Sequence, residues 1–191
     1  MPVVATNLIQ GPGYLYVGAF GATEPADSAI NATPSASTWT DVGGTQDGVT
    51  ITTNPEWAEL SVDQVVDVVG RRLTKRDIQV VTNMAEPTLE NFAIVNNGGT
   101  VTASAAYKTY DPTNDDASTQ PSYRALLFDG YAPQTVAGVT MRRRLAVRKA
   151  LSIESVETAY KKDEQTLYPV TFAAHYVSSV IRPFRYVDQL T

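Results

Sequence analysis

Pro87-Thr88-Leu89-Glu90-Asn91-Phe92-Ala93-Ile94-Val95-Asn96-Asn97-Gly98-Gly99 is the one stretch of this chain that reads clearly as a helix. Pro87 suits an early helical position, where its missing N–H needs no partner, and Glu86 and Glu90 suit the positive end of the helix dipole. Gly98-Gly99 supplies a stop. Leu89, Phe92 and Ala93 fall on one stripe, which would pack on a sheet. The spacing predicts one principal helix at about residues 87–97, and the flanking sequence reads as strand.

Upstream, Arg72 to Met84 reads as a long strand, basic at its start and apolar at Ile78, Val80 and Val81. Before it, residues 54–70 are bounded by Asn54-Pro55 and Gly70 and carry Glu56, Glu59, Asp63 and Asp67. The three-and-four spacing of these acids would suit a helix face, but the pairs Val65-Val66 and Val68-Val69 favour strand, so an extended loop or hairpin is expected. Val49 to Thr53 alternates after an Asp47-Gly48 turn, and Asn54-Pro55 is expected to break that strand. Trp39-Thr40-Asp41-Val42 and Tyr14-Leu15-Tyr16-Val17 are shorter strands. Gly21 to Ser37, rich in Ala, Ser, Thr and Pro without periodicity, reads as a surface excursion.

Downstream, Asp111 to Pro121 is polar and rich in turn formers. Strands follow at Tyr123–Phe128, Thr140–Glu157 and Gln165–Val180, the last after a Lys161-Lys162-Asp163-Glu164 turn. Pro183 is expected to limit further pairing. Many strands and one short helix make a mainly β sandwich or barrel capped by a helix, in one domain spanning residues 1–191.

Composition narrows the chemistry. With 191 residues, 43% hydrophobic and 18% charged, the chain can build a core without staples. It has no cysteine and one histidine, which excludes disulfides, thiolate metal sites and thiol nucleophiles. No run is apolar and long enough for a membrane helix, and no signal peptide is evident. His175 lies in an apolar strand with no second histidine or cysteine to work with, and reads as structural. Asn114-Asp115-Asp116 lacks the spacing of a calcium loop, and Asn31-Ala32-Thr33 fits a glycosylation sequon by chance. No phosphate-binding loop or nucleophile elbow is present. The expectation is no enzyme, no metal and no cofactor.

Charge is distributed unevenly along the chain. Residues 1–70 contain eight acidic residues and no lysine or arginine, whereas residues 71–191 carry fifteen basic and twelve acidic residues. Either the acidic part is a solvated surface, or an acidic and a basic face attract copies of the chain head to tail. The basic strand Arg142-Arg143-Arg144-Leu145-Ala146-Val147-Arg148-Lys149 places Arg142, Arg144 and Arg148 on one side with Ala146. In an acidic chain without a nucleic-acid module, an acidic partner in another copy is favoured over DNA for this strand.

The run Trp39-Thr40-Asp41-Val42-Gly43-Gly44-Thr45-Gln46-Asp47-Gly48-Val49 resembles the opening signature of phage major tail tube proteins. Ala85-Glu86-Pro87-Thr88-Leu89-Glu90-Asn91-Phe92, an acidic-start helix after a long strand, is similar too, and the order of elements agrees across nearly the whole chain. The resemblance implies a structural virion protein of the phage tail, assembled in the host cytoplasm. It implies hexameric rings that stack, with strands joining between subunits into a barrel around a channel for the genome. It further implies contacts with tail tip, tail terminator and tape measure proteins, DNA only as passing cargo, and no membrane. The Gly21–Ser37 insertion has no assigned place in the family pattern. With no immunoglobulin-like domain appended after Thr191, a plain tube exterior is expected.

On this reading Glu56, Glu59, Asp63 and Asp67 are expected to meet Arg71, Arg72, Lys75 or Arg76 of another ring. Arg142, Arg144 and Arg148 are expected to point to neighbouring subunits or outward. An acidic lumen, which repels phosphates, draws on Glu56, Glu59, Asp63, Asp67 and Asp77. The alternative is a carbohydrate-binding β-sandwich module, which would need an exposed aromatic cluster; the ten tyrosines are scattered along the strands. An enzyme on a β-scaffold is disfavoured by the missing histidine and cysteine chemistry.

Overall fold

β8 (Met141–Ser152) is the strand around which the rest of the sheet is arranged. The computed structural model describes residues 3–113, 118, 121–134 and 138–190. The remaining strands are β1 (Tyr14–Ala19), β2 (Trp39–Asp41), β3 (Thr45–Val62), β4 (Val65–Met84), β5 (Thr100–Ala103), β6 (Lys108–Asp111), β7 (Arg124–Ala132), β9 (Tyr168–Ala174) and β10 (Phe184–Asp188), with helix α1 at Leu89–Val95. The main sheet runs β2-β1-β7-β8-β9-β4-β3, antiparallel throughout. β7 lines one edge of β8. β10 and β9 share the other, β10 against Arg143 to Val147 and β9 against Ala150 to Ser152. The fold is thus mainly β with one principal helix, as the sequence pattern requires. The Asn114-Asp115-Asp116 run lies outside the described residues.

The core fills one face of β1, β7 and β8. Leu15, Val17, Leu126, Leu145 and Val147 pack there with Val80 and Met84 of β4, Val170 and Phe172 of β9, and Ile94 and Val95 of α1. The β5–β6 hairpin flanks the helix, with Tyr110 edge-on to Phe92 at 5.0 Å and Lys108 bonding Glu90 at 2.5 Å.

The helix is shorter than its sequence suggests, and its ends are built differently. Thr88, not Pro87, caps it: the Thr88 hydroxyl accepts the Asn91 N–H at 3.1 Å. At the other end Asn97, not a glycine, takes the left-handed conformation, with φ 57°. The Asn97 N–H bonds the Ile94 carbonyl and the Gly98 N–H bonds the Ala93 carbonyl, the paired closure of a Schellman end. The Asn97 side chain then clips onto β8, donating to the Ser152 carbonyl at 2.7 Å and accepting the Ser152 N–H at 2.8 Å. The buried stripe is Asn91, Ala93, Ile94 and Val95, with Leu89 and Phe92 only partly covered.

Four other expectations are corrected. Asp47-Gly48 is not a turn before a strand but a bulge inside β3, where the register jumps from Gln46 to Val49 and both residues take positive φ. Asn54-Pro55 does not break β3, since Asn54 pairs with Asp77 and Pro55 with Arg76. β3 is an edge strand, where a residue without an N–H loses no ladder bond. Pro183 does not end pairing either. It immediately precedes β10, and its carbonyl accepts the Arg148 N–H at 2.9 Å.

The fourth correction concerns residues 21–37. Alternation turns Tyr16, Ala125, Leu127 and Ala146 to the face of β1, β7 and β8 opposite the main core, where they pack with Trp39. The 21–37 segment lies over this face. The Trp39 indole N–H bonds the Thr23 carbonyl at 3.0 Å, and Ile30 is buried. The buried guanidinium of Arg144 donates to the carbonyls of Ala29, Ile30 and Ala32. The segment is a cover for a second, smaller core, not a free excursion.

Candidate assembly surface

β4 pairs with β9 only as far as Gln79. From Ile78 outward, β3 and β4 continue as a two-stranded ribbon to a turn at Asp63-Gln64, with Val62 opposite Val65. At about 3.3 Å per residue, Val65 to Ile78 extends roughly 40 Å. The apolar side chains of this ribbon are in the open: Trp57, Leu60, Val62, Val65, Val66, Val68 and Val69 are all exposed, Val66 completely. A two-stranded ribbon of this length is marginal alone, and exposed apolar patches on that scale mark interaction surfaces. Among the described residues the outer edge of β3 also has no strand partner, which leaves a template for pairing.

The charged residues expected to meet across copies are partly joined within the ribbon itself. Glu59 sits opposite Arg71 and accepts from it at 2.7 Å, and Glu56 opposite Lys75 accepts at 3.2 Å. Directly opposed residues share a face, so the hairpin register makes both pairs. These pairs are more than half exposed and worth at most about 1 kcal/mol each. Among the described residues Asp63, Asp67, Arg72 and Arg76 have no ion-pair partner. Asp77 is half-buried and accepts the Gln79 amide at 3.0 Å.

Nor is the basic strand β8 free for another subunit along its length. Arg144 is 5% exposed and grips both oxygens of Asp129 at 2.6 Å. Arg148 is bonded to Glu24 of the covering segment, a contact that holds its guanidinium charge more firmly than usual. Arg185 reaches Asp27 of the same segment at 2.5 Å. Arg143 forks onto Asp188 at 2.6 and 2.7 Å and ties β10 to β8, holding the Asp188 carboxyl below the usual range. Only Arg142 of the three candidates lacks a carboxylate partner among the described residues; it lies over the Tyr131 ring at 5.2 Å. The alternation read from the sequence holds, but no local pattern marks Asp129 on the neighbouring β7 as the partner of Arg144.

His175 lies just beyond β9. Its N–H bonds the Lys149 carbonyl at 2.8 Å, and its ring stands edge-on to Tyr123 at 5.4 Å. Among the described residues no cluster of histidine, aspartate or glutamate could hold a metal ion.

The two runs that carry the resemblance meet in space. The Gly44 N–H donates to the Glu86 carboxylate at 3.0 Å, and the buried Asn91 amide donates to the carbonyls of Val42 and Glu86 at 2.9 and 2.8 Å. Gly43, with φ 81°, takes a backbone conformation that side chains strain, and the Glu86 carboxyl stands where a Cβ would, so a side chain there would also push that carboxylate aside. Residues 5–187 match the phage tail tube protein family. The chain belongs to that family. As a tail tube protein it is a structural component of a virion tail and not an enzyme, which leaves the carbohydrate-binding alternative without support. No curated protein matches the chain. Among solved structures it is similar to the tail of an empty GTA particle refined with helical, C6 symmetry, at 9% identity and a TM-score of 0.38, over 92% of this chain and 96% of that one.

Proposed function

We propose that this tail tube protein, acting as one domain over residues 1–191, closes into hexameric rings that stack around a channel for the genome. The observation that carries this reading is the β3–β4 ribbon, which leaves apolar side chains and a free strand edge in water. Joining that edge to another copy removes both liabilities, as a closed barrel does. The ribbon reaches the next ring. There Asp63, Asp67, Arg72 and Arg76 are available, and Glu56, Glu59, Arg71 and Lys75 can exchange partners between copies at little cost. Of the basic strand, Arg142 is the residue left to face a neighbour.

The channel wall is the face of β3 and β4 turned away from the core. The core takes Val49, Ile51, Ile78 and Val80, so Thr50, Thr52, Asn54, Asp77 and Gln79 point the other way. Hydroxyls, amides and a carboxylate offer passing DNA no cation to release counterions against. Of the acidic candidates Asp77 is the one on this face; Glu56 and Glu59 are balanced by Lys75 and Arg71, and Asp63 and Asp67 lie at the ribbon tip. Tail tip, tail terminator and tape measure proteins are the further partners, and assembly takes place in the host cytoplasm.

Replacing residues 60–70 with a two-residue Asn-Gly turn tests the reading. The purified parent is expected to form tubes with a central channel in negative stain, and the shortened chain to remain as monomers or single rings. Normal tubes from the shortened chain would refute the role of the ribbon. A lumen lined by Arg142 in a map of the tube would refute the wall.

A further inference from the structure

The 21–37 cover does not close completely over the second core. Between it and the segment after His175 lies a groove of about 420 Å³, with Trp39, Ala125 and Ala146 at its bed and Phe20, Val180 and Ile181 as its walls. The walls are uncovered: Phe20, Val180 and Ile181 are all exposed, Val180 at 83%. The groove's own carboxylate, Glu24, is bonded to Arg148. That leaves no unpaired carboxylate among the residues lining the groove. The Lys149 ammonium stands 5.5 Å above the Phe20 ring and 4.2 Å above Tyr123, and Arg182 is exposed next to Ile181. Neither has a carboxylate partner among the described residues.

We infer that this groove seats the ribbon tip of a second copy of the chain. The inference rests on the reading that the ribbon engages another copy, and adds where it lands. From Leu60 to Gly70 the tip presents exposed leucine and valines with Asp63 and Asp67, and no basic residue. Valines of the tip fill the apolar bed, and the two aspartates meet Lys149 and Arg182. The exposed apolar N-terminal arm, with Val3, Val4, Leu8 and Ile9, is another uncovered segment, but its side chains carry no charge to answer Lys149 and Arg182. The contact is heterologous, ribbon to groove, so it propagates from copy to copy instead of closing on a pair.

The chain has no cysteine, which makes the test direct. Val66→Cys protein is mixed with Ile181→Cys protein under assembly conditions and oxidised, and the linked peptides are identified by mass spectrometry. A disulfide between positions 66 and 181 is expected, since the bond forms only when the two Cα atoms lie within about 7 Å. Val180→Asp and Val66→Asp, both at exposed sites, are each expected to abolish filaments while leaving the thermal unfolding of the monomer unchanged. If Val66→Asp blocks assembly but Val180→Asp does not and no 66–181 link forms, the groove is wrong and the ribbon reading survives. If Val66→Asp assembles normally, both fall. A link from Ile181→Cys to Val4→Cys, in place of Val66→Cys, seats the arm and overturns the inference.

Discussion

Replacing Arg144 by alanine separates a side chain that serves its own chain from one that serves a neighbour. Arg144 is 5% exposed and Asp129 14%, so the substitution strands a largely buried carboxylate as well as the carbonyls of Ala29, Ile30 and Ala32. Breaking a buried pair by removing one partner costs about 3–5 kcal/mol. At roughly 2–4 °C per kcal/mol for a chain of this length, the melting temperature of the monomer should fall by about 6–20 °C. Urea unfolding gives the free energy, and hydrogen exchange should show residues 21–37 losing protection before the main core does. Arg144→Met combined with Asp129→Leu removes the stranded charge and should recover part of the loss, leaving the cost of the unbonded carbonyls. If Arg144→Ala stays within about 0.5 kcal/mol of the parent yet fails to assemble, the reasoning is wrong and the side chain belongs to an interface.

Asn97→Ala should destabilise the monomer by about 1–3 kcal/mol in urea, through the two lost bonds to Ser152 and the forced positive φ, and Asn97→Gly should recover only the second part. The Asp188 carboxyl is held below its unfolded value by Arg143, so its stabilisation is present above the unfolded pKa of about 3.9 and fades as pH falls through the lower folded value. The stability gap between the parent and Asp188→Asn, followed by denaturation from pH 6 downward, should accordingly narrow only below about pH 4; a gap that narrows between pH 6 and 5 would contradict the pairing. His175→Gln should leave filament formation intact, because what His175 shares with the sheet is a backbone bond; loss of assembly would give the ring a role beyond packing against Tyr123.

The helix, the ribbon and the centres of the long strands are legible in the sequence because each is a local pattern (a cap, a valine-rich run with turn formers, an alternation), but the strands expected over Thr140–Glu157 and Gln165–Val180 are only Met141–Ser152 and Tyr168–Ala174. Register is not. β3 and β4 slip at three places, and only after those slips are fixed does Glu59 fall opposite Arg71 and Glu56 opposite Lys75. Pro55 misleads because its tolerance depends on β3 lying at an edge, which is a property of the sheet and not of the residue. Residues 21–37 have no periodicity to read, since they are held piecemeal: through backbone carbonyls by Arg144, which carry no sequence signature, and through single acids, Glu24 and Asp27, by Arg148 and Arg185. Asn97 looks like one more polar residue before two glycines, and its grip on Ser152 joins positions far apart in the chain.

The placing of β8 has a consequence for how the protein is made. Its strand partner β7, the strands β1 and β2 beyond it, and the acidic segment that Arg144 and Arg148 hold down are all translated before it, while β9 and β10 come after. At roughly 5–20 residues per second, the first strand and its cover wait several seconds on the ribosome for the strand that completes their sheet. The β3–β4 ribbon, by contrast, is local and can pair with itself at once. A nascent chain thus carries its ribbon before it has the groove proposed to receive one, so on that proposal it can dock onto a finished copy before it can itself be docked upon. Under the proposed contact, translation order decides which half of it a chain offers first.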